Sequence, residues 1–153
     1  MAGLHFEEFG EGAVFEHAIR RTVTEMDNTL FSCLTHNPQP LHIDRHFCET
    51  QTEFGQPLMN SMFTLGLMVG ISVNDTTFGT TIANLGMTDV KFPHPLFNGD
   101  TVHVRTTVMG KRESGSRPNA GIVEFLHEAF NQNDKLVASC RRSAFMRKRP
   151  EPA

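Results

Sequence analysis

Between Leu34 and Asp44 the chain reads LTHNPQPLHID, which puts two histidines, an asparagine, a glutamine and an aspartate among two prolines. Imidazole ordinarily titrates at about 6.5, so His42 and His36 are the groups here that can take up and return a proton near neutral pH. Asn37 cannot be a base, but its carbonyl oxygen can accept from a water proton and its amide can donate, so it can orient a water. Asp44, two residues beyond His42, can hold one imidazole tautomer or cap a following helix. The same stretch would serve equally as a proline-braced loop in which His42 is tied to backbone.

A second candidate is MNSM, Met59 to Met62, at the start of a long apolar run. The first amides of a helix lack intrahelical partners and sit at its positive end, so they can stabilise an oxygen that gains negative charge. Asn60 and Ser61 could bond a ligand there or simply cap the helix.

These residues need elements to hold them. GAVFEHAIRRTVTE reads as a first strand, and Thr24 as the N-cap of a helix over EMDNTLFSCL whose buried face would carry Leu30, Phe31 and Leu34. Pro38 and Pro40 argue against regular structure in the next segment. RHFCETQTEF follows as a short helix capped by Asp44 and ended by Gly55 and Pro57.

Leu58 to Val73, LMNSMFTLGLMVGISV, is apolar nearly all round and reads as a core helix. It is shorter than the roughly 20 apolar residues that span a bilayer. Gly66 and Gly70 share one face, where a sheet or a second helix could come close. Four strand segments follow: TTIANLGMTDVKF with a change of phase near Thr88, TVHVRTTVMGKRE, AGIVEFLHEAF and KLVASCRRSAFMRK. The last two form a hairpin around NQND, and GKRESGSRPNAG is a polar loop. Strand, helices, one long helix and four strands make an α+β domain with a helix packed on an antiparallel sheet, one domain over residues 1–153.

Composition narrows the function. A net charge of −3, 13 Phe and no Trp or Tyr speak against nucleic acid and a membrane surface as partners. Cys33, Cys48 and Cys140 are odd in number, and no two stand at metal spacing, so free thiols in a reducing compartment are expected. The N-terminus carries no basic-then-apolar leader, and the expected location is the cytoplasm. No metal cluster, phosphate-binding glycine loop or nucleophile elbow is present, so no cofactor is expected.

Two segments carry a family likeness. NPQPLHID followed by FGQPLMNSMFTLGL, and then VKFPHPLFNGDTVHV, resemble in content and order the segments of MaoC-like dehydratases. The resemblance implies a hot-dog fold, a homodimer or larger assembly, an acyl-CoA thioester substrate, and addition or removal of water across an activated double bond. The family pattern Asp-x-Asn-Pro-x-His lays its histidine on His42, its proline on Pro40, its asparagine on Gln39 and its aspartate on Asn37. The carboxylate that shares a water with the histidine is therefore an amide here, which is more similar to the mesaconyl-CoA hydratase branch. His-Gly-Met of the family becomes Asn60-Ser61-Met62.

The resemblance thus implies His42 as acid and base, Asn37 as water-orienting partner, Asp44 as support, and Met59 to Met62 as substrate-binding turn. A dicarboxylic acyl group would want an arginine, with Arg20, Arg21, Arg45 and Arg105 as candidates. The basic run Arg141, Arg142, Arg147, Lys148 and Arg149 could meet the nucleotide end of CoA, but reads better as a solvated strand edge. A hot-dog thioesterase and a non-catalytic acyl-CoA-binding subunit are the alternatives.

Overall fold

The computed structural model describes residues 3–150. Two short strands, β1 (Val14–Glu16) and β2 (Arg21–Thr22), stand where one strand was expected. Helices α1 (Glu25–Leu34), α2 (Pro40–Ile43) and α3 (Arg45–Gln51) then lead to the long helix α4 (Ser61–Thr76). Strands β3 (Thr81–Lys91), β4 (Thr101–Glu113), β5 (Ala120–Phe130) and β6 (Leu136–Arg147) complete the chain.

The sheet runs β1-β4-β5-β6-β3, with β2 also on β4, and every pairing is antiparallel. The pairs β4–β5 and β5–β6 are hairpins, the second closing over NQND as expected. β3 is an edge strand whose register against β6 slips three times, once between Thr88 and Lys91, where the change of phase was read. Helix α4 lies on the sheet against β4, β5 and β6, the hot-dog arrangement.

Alternation decides which face α4 covers. Val102, Val104, Thr106 and Val108 of β4 are buried, as are Val123, Phe125, His127 and Ala129 of β5. On β6 the buried row is Ala138, Cys140, Arg142, Ala144 and Met146. The core on this face has two parts. Met59, Met68 and Ile71 pack with Val104, Ala129 and Cys140; Phe6 and Phe9 pack with Val108, Phe125 and Ala144.

Between the two parts runs a polar seam, Thr106, His127 and Arg142, one residue from each of three neighbouring strands. His17 joins it, with Nδ1 at 2.9 Å from the Asp75 carboxylate and Nε2 at 2.8 Å from the Thr106 hydroxyl. That hydroxyl lies 2.9 Å from Nδ1 of His127. Burial, reinforced by the charge on Arg142 and then by His17, pushes His127 down to about 3, so it is neutral. A carboxylate accepts, so His17 Nδ1 donates to Asp75, and the Thr106 hydroxyl bridges His17 Nε2 and His127 Nδ1. Neither His127 Nε2 nor Arg142 Nε has a partner among the described residues.

Three local expectations need correction. Leu30 and Leu34 of α1 are 55% and 72% exposed, and the buried residues are Asn28 and Ser32. Three hydrogen bonds turn Asn28 inward, and they outweigh the apolar stripe. Pro40 begins a single helical turn rather than preventing one, because at the first helical position its missing N–H costs nothing. A Cβ at Gly66 or Gly70 would touch nothing, so that face of α4 is open in the protomer and no element approaches it.

Candidate active site

His42 sits in α2, the turn begun by Pro40. Its Nδ1 lies 2.8 Å from the carbonyl oxygen of Leu58. A carbonyl can only accept, so Nδ1 carries the proton and Nε2 presents its lone pair. The backbone tie and the proton carrier were posed as alternatives for His42; the tie uses one ring nitrogen and leaves the other open.

The Leu58 segment is itself braced. Its amide donates to Leu41 carbonyl at 3.0 Å, it bridges to Phe97, and Met59 amide donates to Leu96 carbonyl at 2.9 Å. Asn28, 2% exposed, links the parts: Nδ2 donates to the His42 and Leu58 carbonyls at 2.7 and 3.0 Å, and Oδ1 accepts from Asn60 amide at 2.8 Å. Sequence reasoning missed Asn28. Its only signal is the spacing of Asn28 and Ser32 as an uncharged polar pair one turn apart on α1.

Asn37 is half-buried in the loop after α1, and its Oδ1 accepts from Gln39 amide at 3.2 Å in an Asx turn. One lone pair of that oxygen is thereby engaged, and its NH₂ has no partner among the described residues. His36 has left-handed backbone (φ 52°) at the exposed end of α1. Asp44 accepts from Phe47 amide at 2.9 Å and caps α3. Support of the His42 tautomer, the other role considered for Asp44, belongs to Leu58 carbonyl instead.

The turn Met59 to Met62 divides in its duties. Met59 is buried in the core, and Met62 is half exposed. Asn60, 3% exposed, caps α4 by accepting from Met62 amide at 3.0 Å, so its oxygen serves the helix rather than a ligand. Thr64 amide returns to Asn60 carbonyl. Ser61 amide has no acceptor among the described residues, which leaves a donor at the positive end of α4.

Beside Ser61 opens a cleft of about 270 Å³ lined by Phe54, Leu58, Met59, Phe92, Pro95 and Leu96. His94 stands at it with Nδ1 3.0 Å from Leu136 carbonyl, so its Nε2 is open too. The sequence signal for His94 was present in VKFPHPLF, where it lies between two prolines.

The arginines named for a substrate carboxylate are largely taken. Arg21 pairs with Asp27, Arg105 with Glu128, and Arg45 lies near Glu25 and Glu49. The C-terminal basic run is not uniformly solvated: Arg142 is buried, Arg141 meets Asp89, Lys148 meets Glu113 and Arg149 meets Glu8. Arg147, Lys148 and Arg149 line a cavity of about 880 Å³ with Gly79, beyond the far end of α4 from His42.

The amide that starts α4 opens on a cleft within a helix-on-sheet fold, His42 is tied to the Leu58 carbonyl at the wall of that cleft, and the MaoC like domain is recognised over residues 8–128. The chain belongs to the MaoC-like family. It is 30% identical to a mesaconyl-CoA hydratase of Cereibacter sphaeroides, over 99% of this chain and 45% of that protein. This MaoC-like chain therefore spans less than half the length of that relative. A solved monoamine oxidase regulatory protein from Archaeoglobus fulgius is 32% identical over 98% of each chain, with a TM-score of 0.86. A double hotdogfold protein of Mycobacterium tuberculosis shares the fold at a TM-score of 0.87, 24% identical over 99% of this chain and 47% of its own. Among the described residues no helix is long and apolar enough to cross a membrane.

Proposed function

We propose that this chain is an enoyl-CoA hydratase or hydroxyacyl-CoA dehydratase. The observation that carries the reading is the His42 ring held through Nδ1 on the Leu58 carbonyl, which ties it to the braced segment that leads into the unpartnered Ser61 amide. Asn37 NH₂ donates to a water. His42 Nε2 takes a proton from that water as its oxygen bonds to the β-carbon, and the same nitrogen returns the proton to the α-carbon. Ser61 amide receives the charge that builds on the thioester oxygen between the two steps. Water is consumed whole, and no electrons leave the substrate.

The cleft walls are apolar and the volume is small, which favours a short or branched acyl group. The relatives named mesaconyl-CoA hydratase and beta-methylmalyl-CoA dehydratase support a branched or dicarboxylic one. We assign the working unit to a homodimer or larger assembly in the cytoplasm. The relatives are about twice as long, and the open Gly66–Gly70 face of α4 offers a surface for a second copy.

The test is a panel of straight-chain, branched and dicarboxylic enoyl-CoA thioesters, followed by enoyl absorbance and by free thiol. Loss of enoyl absorbance without thiol supports hydration. Release of thiol would establish a thioesterase, and tight binding without turnover an acyl-CoA-binding subunit.

A further inference from the structure

We propose that Asn28 is the positioning residue that holds the base and the oxyanion donor in one register, an inference that rests on the hydratase reading. Its carboxamide has two N–H donors and one carbonyl, and all three functions are used on backbone of the site itself. One N–H reaches the carbonyl of His42, the residue that carries the imidazole. The other reaches the carbonyl of Leu58, to which the imidazole donates. The oxygen receives the amide of Asn60, which precedes Ser61 in the chain and caps α4. A single buried side chain thereby sets the distance between α2 and the start of α4, across 14 to 32 residues of sequence.

No water competes for these bonds, because Asn28 is 2% exposed. Neighbouring Ser32, one turn further along the same buried face, supplies the contrast: its hydroxyl has no partner among the described residues. Met26, Leu30 and Leu34 of α1 point outward and Phe31 alone of its large apolar side chains packs on α4, edge to face with Phe63, so this amide supplements a thin apolar contact in orienting α1.

Asn28 also acts on His42 electronically. Leu58 carbonyl is shared between Asn28 Nδ2 at 3.0 Å and His42 Nδ1 at 2.8 Å. Remove the first donor and the carbonyl becomes a stronger acceptor for the second, which favours the imidazolium. A change that merely loosened packing would not do this.

The experiment compares wild type, Asn28→Ser, Asn28→Thr and, as control, Ser32→Ala. Steady-state hydration is measured over pH, and His42 is titrated by ¹⁵N NMR of its ring without substrate. Asn28→Ser is expected to lower kcat about tenfold to a hundredfold, the scale of a small misplacement of reacting groups, with KM changed less than about threefold. The acid limb and the NMR midpoint of His42 should both move to higher pH, and Ser32→Ala should change neither. Should Asn28→Ser not fold, Asn28→Thr answers by the same readouts, since it removes the carboxamide without adding a charge near His42. The proposal is overturned if a folded Asn28 variant matches Ser32→Ala in kcat and in midpoint. It is overturned as well if the side-chain amide protons of wild-type Asn28 prove open to water. A wild-type protein that hydrates no thioester sinks the hydratase reading, and the NMR arm then still decides whether Asn28 governs His42.

Discussion

Around Asn28, hydrogen bonds of 2.7, 3.0 and 2.8 Å end on backbone groups of three segments, and no charge is buried. Along the seam, Asp75, His17, Thr106 and His127 form an equally short chain that stops at an imidazole nitrogen and lies near a buried guanidinium N–H, neither with a partner among the described residues. Burial pushes the Arg142 guanidinium below its usual range as well. The first network is neutral and closed, so acid finds no group of Asn28 or its backbone partners to protonate. The second holds a cation and a neutral histidine in a dry layer, where every added proton is resisted. The comparison separates two tasks: the closed network places the reacting groups, and the open one makes the fold sensitive to acid.

The sharpest way to break this division is His42→Ala. It is expected to lower kcat/KM by about 10²–10⁴-fold, as loss of general acid–base catalysis does, while the acid stability of the protein stays that of wild type. Thermal melts over pH beside initial rates check both halves.

The seam should answer in the opposite way. His127 titrates at about 3 in the folded protein and near the ordinary 6.5 when unfolded. The unfolded state therefore binds a proton first, and stability contributed by neutral His127 is complete above about 6.5 and lost as pH falls towards 3. The slope is at most about 1.4 kcal/mol per pH unit. His127→Gln, which keeps a polar partner for Thr106 and cannot charge, should flatten this part of the profile and leave kcat alone. Parallel melting curves for the two proteins between pH 7 and 4 would remove the seam from the account.

Asn37→Asp tests whether charge can enter the site. A carboxylate beside the imidazole favours its protonated form, and a base that must start neutral is then lost at higher pH, so the acid limb should rise by on the order of one unit. An unmoved limb would place Asn37 out of reach of His42. Asp44→Ala should do least: about 1 kcal/mol of stability for the lost cap of α3, with kcat/KM as in wild type. A loss of rate without loss of stability would return Asp44 to the site.

The sheet, the long helix and the loop bearing His42 were legible because they rest on short-range rules: alternation in β4 to β6, the apolar Leu58–Val73 run, and proline and capping residues between Asn37 and Asp44. The orientation of α1 was not. Leu30, Phe31 and Leu34 form a plausible buried stripe, and only the backbone groups waiting at His42, Leu58 and Asn60 explain why Asn28 is inside. Those acceptors and donors come from segments far along the chain. Arg142 was misread for the same kind of reason: alternation places it in the inward row of β6, yet its charge argued for solvent. His94 needed the fold to bring the VKFPHPLF segment beside α4.

The divided core has a consequence for how the molecule comes apart. The half beneath α4 is closed by Met68 and Ile71, whereas the other half is closed by the N-terminal segment, where Phe9 meets Phe125 at 5.3 Å edge to face. That segment is fastened at its start by the amides of Gly3 and Leu4 on the carbonyls of Phe78 and Thr76. Peeling it away uncovers Val108, Val123, Phe125, Ala144 and Met146, whereas the apolar partners of Met68 and Ile71 belong to the other half. Unfolding in denaturant should accordingly proceed through a half-open intermediate, native around His42 and loosened around Phe9, rather than as a single cooperative event.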